Sequence, residues 1–293
     1  KEEEKKKGKK EKEKRKKKEE RGMVYMYYCY HLFRSRNTIL TISIFTILLT
    51  NTVLVNLFGL ARGYGLSYGF MVMGLFHLIS YLRTSRKADV YYFHLAGLLA
   101  VLSHFTLLTF YASSLALIVL MEFMNSRSST DNSPGLFNRV KHHILPILIN
   151  LAILYEPVRR AIQYGQWSVG GKNGFYADSV SGLVQYLVGS STYPQAIDIS
   201  LSIVVTLIIL LPFLSFVRYY IKGDGTSFNN HTDLAATSFL LVLISCLIIF
   251  NHLVVGADYP IGRFLAFLIP LFWIHFGFLI GYLVNWQKTF FLS

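Results

Sequence analysis

The sequence predicts an all-α, polytopic integral membrane protein of about eight transmembrane helices, with an external loop bearing a short interfacial helix. Three observations carry this. After Arg21 the chain runs in apolar stretches of roughly bilayer-spanning length, and Lys and Arg are confined to the short gaps between them. Mean hydropathy of +0.42 and a hydrophobic content of 53% exceed what a soluble domain of 293 residues needs.

Residues 1–22 form a charged low-complexity tail. Its first 21 residues hold thirteen Lys and Arg against seven Glu, which is +6 of the net charge of +13. A run of this kind buries no apolar area, so it reads as a solvated tail rather than a nucleic-acid arm or a cleavable leader. Residues 23–293 form the transmembrane domain. Its apolar stretches are Asn37–Leu60, Leu66–Leu82, Tyr91–Met124, Ile144–Val158, Ile197–Val217, Leu234–Val255 and Phe264–Val284.

Tyr91–Met124 is too long for one span. As a single helix it would reach roughly 50 Å, against a hydrocarbon core of roughly 30 Å. Two spans turning back at Ser103-His104-Phe105-Thr106 put eleven basic residues on one side, among them Arg34, Arg83, Lys87, Arg127, Lys141 and Arg218. Five then lie opposite: Arg62, Arg159, Arg160, Lys172 and Arg263. The positive-inside rule therefore selects eight spans, with both ends cytoplasmic.

The external gaps are ARGYGLS at 61–67, SHFT at 103–106, a loop over 159–196, and GADYPIGR at 256–263. Within the loop, Asp178 reads as an N-cap, followed by Val180, Leu183, Val184 and Leu187 at helical spacing, which predicts an interfacial helix over 178–187. The external polar residues are the candidate substrate-binding set: Arg62, Tyr64, His104, Asn173, Asp178, Asp258, Tyr259 and Arg263. Arginine at membrane depth is costly unless it faces a polar cavity and an anion. Arg263 beside Asp258 and Tyr259 suits a phosphate or diphosphate head group, and an ion pair with Asp258 is the structural alternative. GGKNGF at 170–175 lacks the strand-to-helix context and the Gly-Lys-Ser/Thr ending of a nucleotide-binding loop.

Several chemistries lose support at this stage. Cys29 and Cys246 stand far apart without metal-ligand spacing, so neither a metal nor a disulfide framework is expected, and no cofactor is implied. His142 and His143 fall in a basic gap and read as solvated. Nine acidic residues lie outside the tail and none is flanked by a second carboxylate, so no paired acid and base is visible.

ARGYGLS between two spans, the GGKNGFYAD loop and YPIGRFLAFLIPLF opening a span resemble bacterial multi-spanning glycosyltransferases of the GT-C superfold. The resemblance covers roughly residues 23–284. It implies an enzyme of the bacterial inner membrane that transfers a sugar from a polyprenyl-phosphate donor on the outer face. Membrane lipid and the lipid-linked sugar would be its partners, with no nucleic acid involved. It also implies an acidic catalytic residue in the first external loop, where this chain has ARGYGLS, and hence that the chain corresponds to the later part of such a protein. A transporter or flippase for a lipid-linked or anionic solute, or a non-catalytic assembly subunit, are the alternatives. Eight spans place Ser168 and Ser227 on opposite sides of the membrane. Single cysteines introduced at these positions should be labelled by an impermeant maleimide from opposite faces, and labelling of both from one face would refute the count.

Overall fold

The computed structural model describes residues 23–34, 38–59, 64–128, 136–164, 170–189, 194–221 and 231–292. The charged tail and Arg62 lie outside them. Among the described residues every regular element is helical, with one isolated bridge between Gly171 and Tyr259.

In chain order the helices are α1 (23–33), α2 (Thr38–Thr50), α3 (Thr52–Gly59), α4 (Tyr64–Thr84), α5 (Lys87–Ser103), α6 (Leu107–Ser128), α7 (Leu136–Gln163), α8 (Ser181–Val188), α9 (Gln195–Ile221), α10 (Thr232–Phe250) and α11 (Leu268–Leu292). Four are long and apolar enough to cross a membrane, namely α4, α6, α9 and α10, or five if the bent pair α2 and α3 is one span. These mark a membrane protein. The rest fall short for visible reasons. Lys87 and Asp89 open α5, Arg139 and Lys141 open α7, and the apolar part of α11, Leu268–Val284, is brief.

The anomalous stretch Tyr91–Met124 is two helices. α5 ends at His104, which is extended at φ −156° and ψ 111°, and α6 starts three residues later. The turn closes its own backbone: His104 N–H donates to Ala100 O at 2.9 Å and Leu107 N–H to His104 O at 3.0 Å. A backbone in lipid must satisfy its polar groups internally, and these bonds do so at the break.

The α2–α3 bend of 63° has a similar cause. Asn51 Oδ1 accepts from Leu54 N–H at 3.0 Å, capping α3, while Nδ2 donates to Tyr186 O at 3.2 Å and ties the bend to α8.

α1 is a helix the hydropathy pattern did not reveal. Tyr25, Cys29 and Phe33 recur every four residues and are all buried. Its backbone comes close to α4 where Gly69 has no side chain, since a Cβ there would stand 3.4 Å from Tyr25 N. Phe33 packs on Phe278 of α11 at a ring distance of 4.9 Å.

Helix α7 is inverted relative to a soluble helix. Leu145, Leu148 and Leu151 point outward, each more than half exposed, whereas His143 and Asn150 are buried. This is the arrangement that lipid selects, and it corrects the reading of His143 as solvated. The helix starts before that residue, at Leu136, and so carries it into the bundle.

At the end opposite the α5–α6 turn, Arg83 of α4 pairs with the buried carboxylate of Asp233 of α10. Tyr81 donates to Glu122 of α6 at 2.6 Å. Replacing Asn51 with Ala removes a cap and an interhelix bond together. The detergent-solubilised protein should lose about 1 kcal/mol of stability, visible as a lower Tm.

Candidate functional site

The α5–α6 turn and the segment between α10 and α11 meet at one end of the bundle. The residues lining a cavity of about 580 Å³ there come from the α5–α6 turn (His104, Phe105, Thr106), the start of α6 (Leu108, Thr109, Ala112), the end of α10 and the segment after it (Leu247, Ile248, Asn251, Ala257, Asp258, Pro260), and the approach to α11 (Arg263, Phe264, Phe267).

The last two segments are irregular for identifiable reasons. α10 widens into a π-helical turn over Asn251–Val255 and stops at Gly256, whose φ of 72° is the left-handed conformation glycine adopts cheaply. A 3₁₀ turn, Gly262–Phe264, precedes α11, which begins at Leu268 rather than at Phe264. The chain between them is therefore free to carry Asp258 and Arg263 to the cavity.

The guanidinium of Arg263 lies over the Phe264 ring at 5.2 Å. No carboxylate lies within ion-pair reach of it among the described residues, so the pair with Asp258 that would have made both residues structural is not formed. The cavity thus presents an exposed guanidinium with no carboxylate partner among the described residues, and one carboxylate, on a largely apolar lining. His104 completes the polar rim. Thr106 Oγ1 and His104 Nδ1 share a hydrogen bond at 2.5 Å. Burial, and then the positive charge of Arg263, pull the pKa of His104 down to about 4, so the imidazole is neutral at physiological pH.

The remaining sequence candidates support the rim. Tyr64 is buried and packs against His104 at a ring distance of 4.7 Å. Tyr259 is buried, stacks on His252 at 4.1 Å, and exchanges backbone hydrogen bonds with Gly171 at 2.9 and 3.0 Å. That exchange clamps the glycine-rich loop over the 256–263 segment. Gly170 is required there, because a Cβ would stand 2.2 Å from Tyr259 O. Ser179 Oγ donates to Pro260 O at 3.1 Å and adds a second tie.

Asp178 and Asn173 sit in this clamp. The Asp178 carboxylate accepts from the Asn173 N–H at 2.7 Å, the Gly174 N–H at 3.1 Å and the Asn173 side chain at 3.2 Å. Asp178 is therefore not the N-cap expected from the sequence. A π-helical turn starts earlier, at Phe175, and its carboxylate reaches back to close the loop. α8 follows at Ser181, with Leu183 and Val184 buried in the bundle. Of the eight candidate residues, His104, Asp258 and Arg263 line the cavity, Tyr64 and Tyr259 back it, and Asn173 and Asp178 hold the loop above it. Arg62 lies outside the described residues.

A second polar cluster went unread in the sequence. His94 of α5, Tyr111 of α6, and His143 and Asn150 of α7 are all buried and hydrogen-bonded to one another. The available signal was the seven-residue spacing of His143 and Asn150 in an otherwise apolar helix, which puts both on one face.

No protein-family model, curated protein or solved structure matches this chain.

Protonation of His104 is opposed in the folded state only. Between the ordinary value near 6.5 and about 4 the unfolded chain binds a proton that the folded chain refuses, so folding stability should fall as pH drops through that window. A thermal melt of the His104→Gln variant should show a shallower loss between pH 6.5 and 4 than the unaltered protein.

Proposed function

We propose that this protein is a membrane-embedded transferase resembling the GT-C glycosyltransferases, and that it binds the phosphate of a polyprenyl-phosphate-linked sugar in the cavity between the α5–α6 turn and the start of α11. The observation that carries the reading is the unpaired Arg263 guanidinium at the rim of a cavity whose other walls are largely apolar. An amphiphile with an anionic head and a hydrocarbon tail meets both demands at once. A charge-assisted, bidentate contact would hold the head group, and Leu108, Leu247, Ile248 and Phe267 would take apolar groups beside it.

In sugar transfer the lipid phosphate gains negative charge as the glycosidic bond breaks, so the Arg263 contact would strengthen in the transition state. Asp258, the carboxylate on the cavity lining, would accept the proton of the attacking hydroxyl. Neutral His104, in the tautomer protonated on Nε2, would donate to a phosphate or sugar oxygen without adding charge.

The fold is read as eight spans, α2–α3, α4, α5, α6, α7, α9, α10 and α11, in a bacterial inner membrane. The cavity opens to the outer face, and the Arg83, Arg86 and Lys87 end is cytoplasmic. Charge asymmetry supports this sidedness.

Transport of a lipid-linked or anionic solute is the second reading. What favours it is the buried His94, Tyr111, His143 and Asn150 cluster, because titratable groups inside a bundle are costly and mark transport pathways.

The deciding measurement is binding of a short-chain polyprenyl phosphate to the purified protein. Arg263→Ala should weaken binding by roughly tenfold to a hundredfold, the worth of one charge-assisted contact of about 1.5–3 kcal/mol. Arg263→Lys should recover only part of it. Asp258→Asn should bind the lipid normally and fail to transfer sugar. Unchanged binding in Arg263→Ala would overturn the proposal.

A further inference from the structure

The hydrogen bonds of the buried cluster have a direction. Asn150 Nδ2 donates to the backbone oxygen of His94 at 3.1 Å, and a carbonyl only accepts, which fixes the orientation of the amide. The same Nδ2 donates to Tyr111 Oη at 2.6 Å. The Tyr111 hydroxyl therefore turns its own proton to His94 Nδ1 at 2.7 Å. The proton of His94 is then on Nε2 and is donated to His143 Nδ1 at 3.1 Å. His143 carries its proton on Nε2, which is buried and has no hydrogen-bond partner among the described residues.

Each bond in the chain thus points the same way, and the last donor is left open. His275, the other fully buried histidine, provides the contrast. It spans Thr237 Oγ1 at 3.0 Å and Ile208 O at 3.1 Å, with both nitrogens engaged, as a structural histidine should be.

The ladder continues toward the Arg83 end of the bundle. The Tyr81 ring lies edge-on to His143 at 5.3 Å, and the Tyr81 hydroxyl donates to buried Glu122 at 2.6 Å. Tyr111 and Glu122 are separated on α6 by eleven positions, about 16 Å of helix, or roughly half of a hydrocarbon core. Tyr111 is one residue from Ala112, which lines the cavity, so the ladder starts at the depth of the cavity wall. The seat of Tyr111 is purpose-shaped: α5 has glycine at position 97, where a Cβ would stand 2.3 Å from Tyr111 Cδ2.

We propose that Tyr111, His94 and His143 form a proton relay through the interior of the bundle, delivering to the Tyr81–Glu122 pair. In the step, Tyr111 Oη takes a proton from the cavity side as it passes its own to His94 Nδ1, so no phenolate forms. His94, now an imidazolium, gives its Nε2 proton to His143 Nδ1, and His143 releases its Nε2 proton toward the Glu122 carboxylate. One proton enters, one leaves, and no electrons move. Ring and hydroxyl rotations restore the starting order. The other titratable or charged groups facing the relay are His142 beside His143 on α7, Lys141 and Lys87 near His142, and Asp89 on α5, which is engaged by His77 at 2.7 Å and Ser80 at 2.8 Å. This inference is independent of what the cavity binds.

The test is proton flux into vesicles holding the full chain, followed with a trapped pH-sensitive dye under an imposed potential, with potassium and valinomycin carrying the counter-charge. The unaltered protein should conduct protons above empty vesicles, and His94→Gln, His143→Gln and Tyr111→Phe should each reduce flux to the empty-vesicle level. Binding of the short-chain polyprenyl phosphate to His94→Gln and His143→Gln should equal that of the unaltered protein, which separates this result from the phosphate-binding test. Flux at the empty-vesicle level in the unaltered protein, or full flux in correctly folded His94→Gln and His143→Gln, would overturn the relay. Should the histidine variants fail to fold, ¹⁵N magnetic resonance of the unaltered protein decides. A coupling between His94 Nε2 and His143 Nδ1 across their hydrogen bond is expected, and its absence would overturn the proposal.

Discussion

The constraint on which this structure depends is the hydrogen-bonding demand of a backbone in lipid. Water does not reach the hydrocarbon, so each peptide group must find its partner within a helix or from a nearby side chain. Among the described residues the helices break with local substitutes at Asn51 between α2 and α3, at the His104 turn between α5 and α6, and at the π and 3₁₀ turns flanking Gly256–Arg263. The His104 turn and the Gly256–Arg263 segment meet, and the cavity forms between them. Helix breaks and candidate site are two views of one fact: backbone that is not locked in a helix can bring polar groups to a ligand.

The same constraint orders the side chains. In α7 the leucines face outward and His143 and Asn150 face inward, because lipid accepts the first and penalises the second. Once turned inward, polar groups must satisfy one another, and the bonds among His94, Tyr111, His143 and Asn150 follow from that requirement. At the Arg83 end the same logic pairs Arg83 with Asp233 and Tyr81 with Glu122.

Arg159 and Arg160 both engage Glu156, and Arg83 engages Asp233, whereas Arg263, like Arg34, Arg86 and Arg218, has no carboxylate partner among the described residues. What distinguishes Arg263 from those three is its place on the cavity lining beside Asp258 and His104, with its guanidinium over the Phe264 ring. The glycine-rich loop is held shut by Asp178 and is tied to the 256–263 segment by the Gly171–Tyr259 backbone bonds.

The sequence by itself determined the all-helical, membrane-protein class of the molecule and named three residues that the fold brings to one cavity. Apolar runs and the placement of charge are one-dimensional properties read directly from residue order, and they gave helices of membrane-spanning length, the division of Tyr91–Met124 at His104, and Asp258 and Arg263 as candidates. Tertiary structure alone decided which polar groups meet. His143 looked like part of a basic loop because hydropathy averages over neighbours and cannot tell which face of α7 turns inward. Asp178 looked like a cap because its reach back to Asn173 and Gly174 depends on the loop closing first. Helix α1 was hidden because its four tyrosines and His31 lower its hydropathy, although Tyr25, Cys29 and Phe33 share a buried face. Whether Arg263 pairs with Asp258 or faces a cavity was equally open in the sequence, since five residues of separation permit both, and the fold settled it by turning the start of α11 toward the α5–α6 turn.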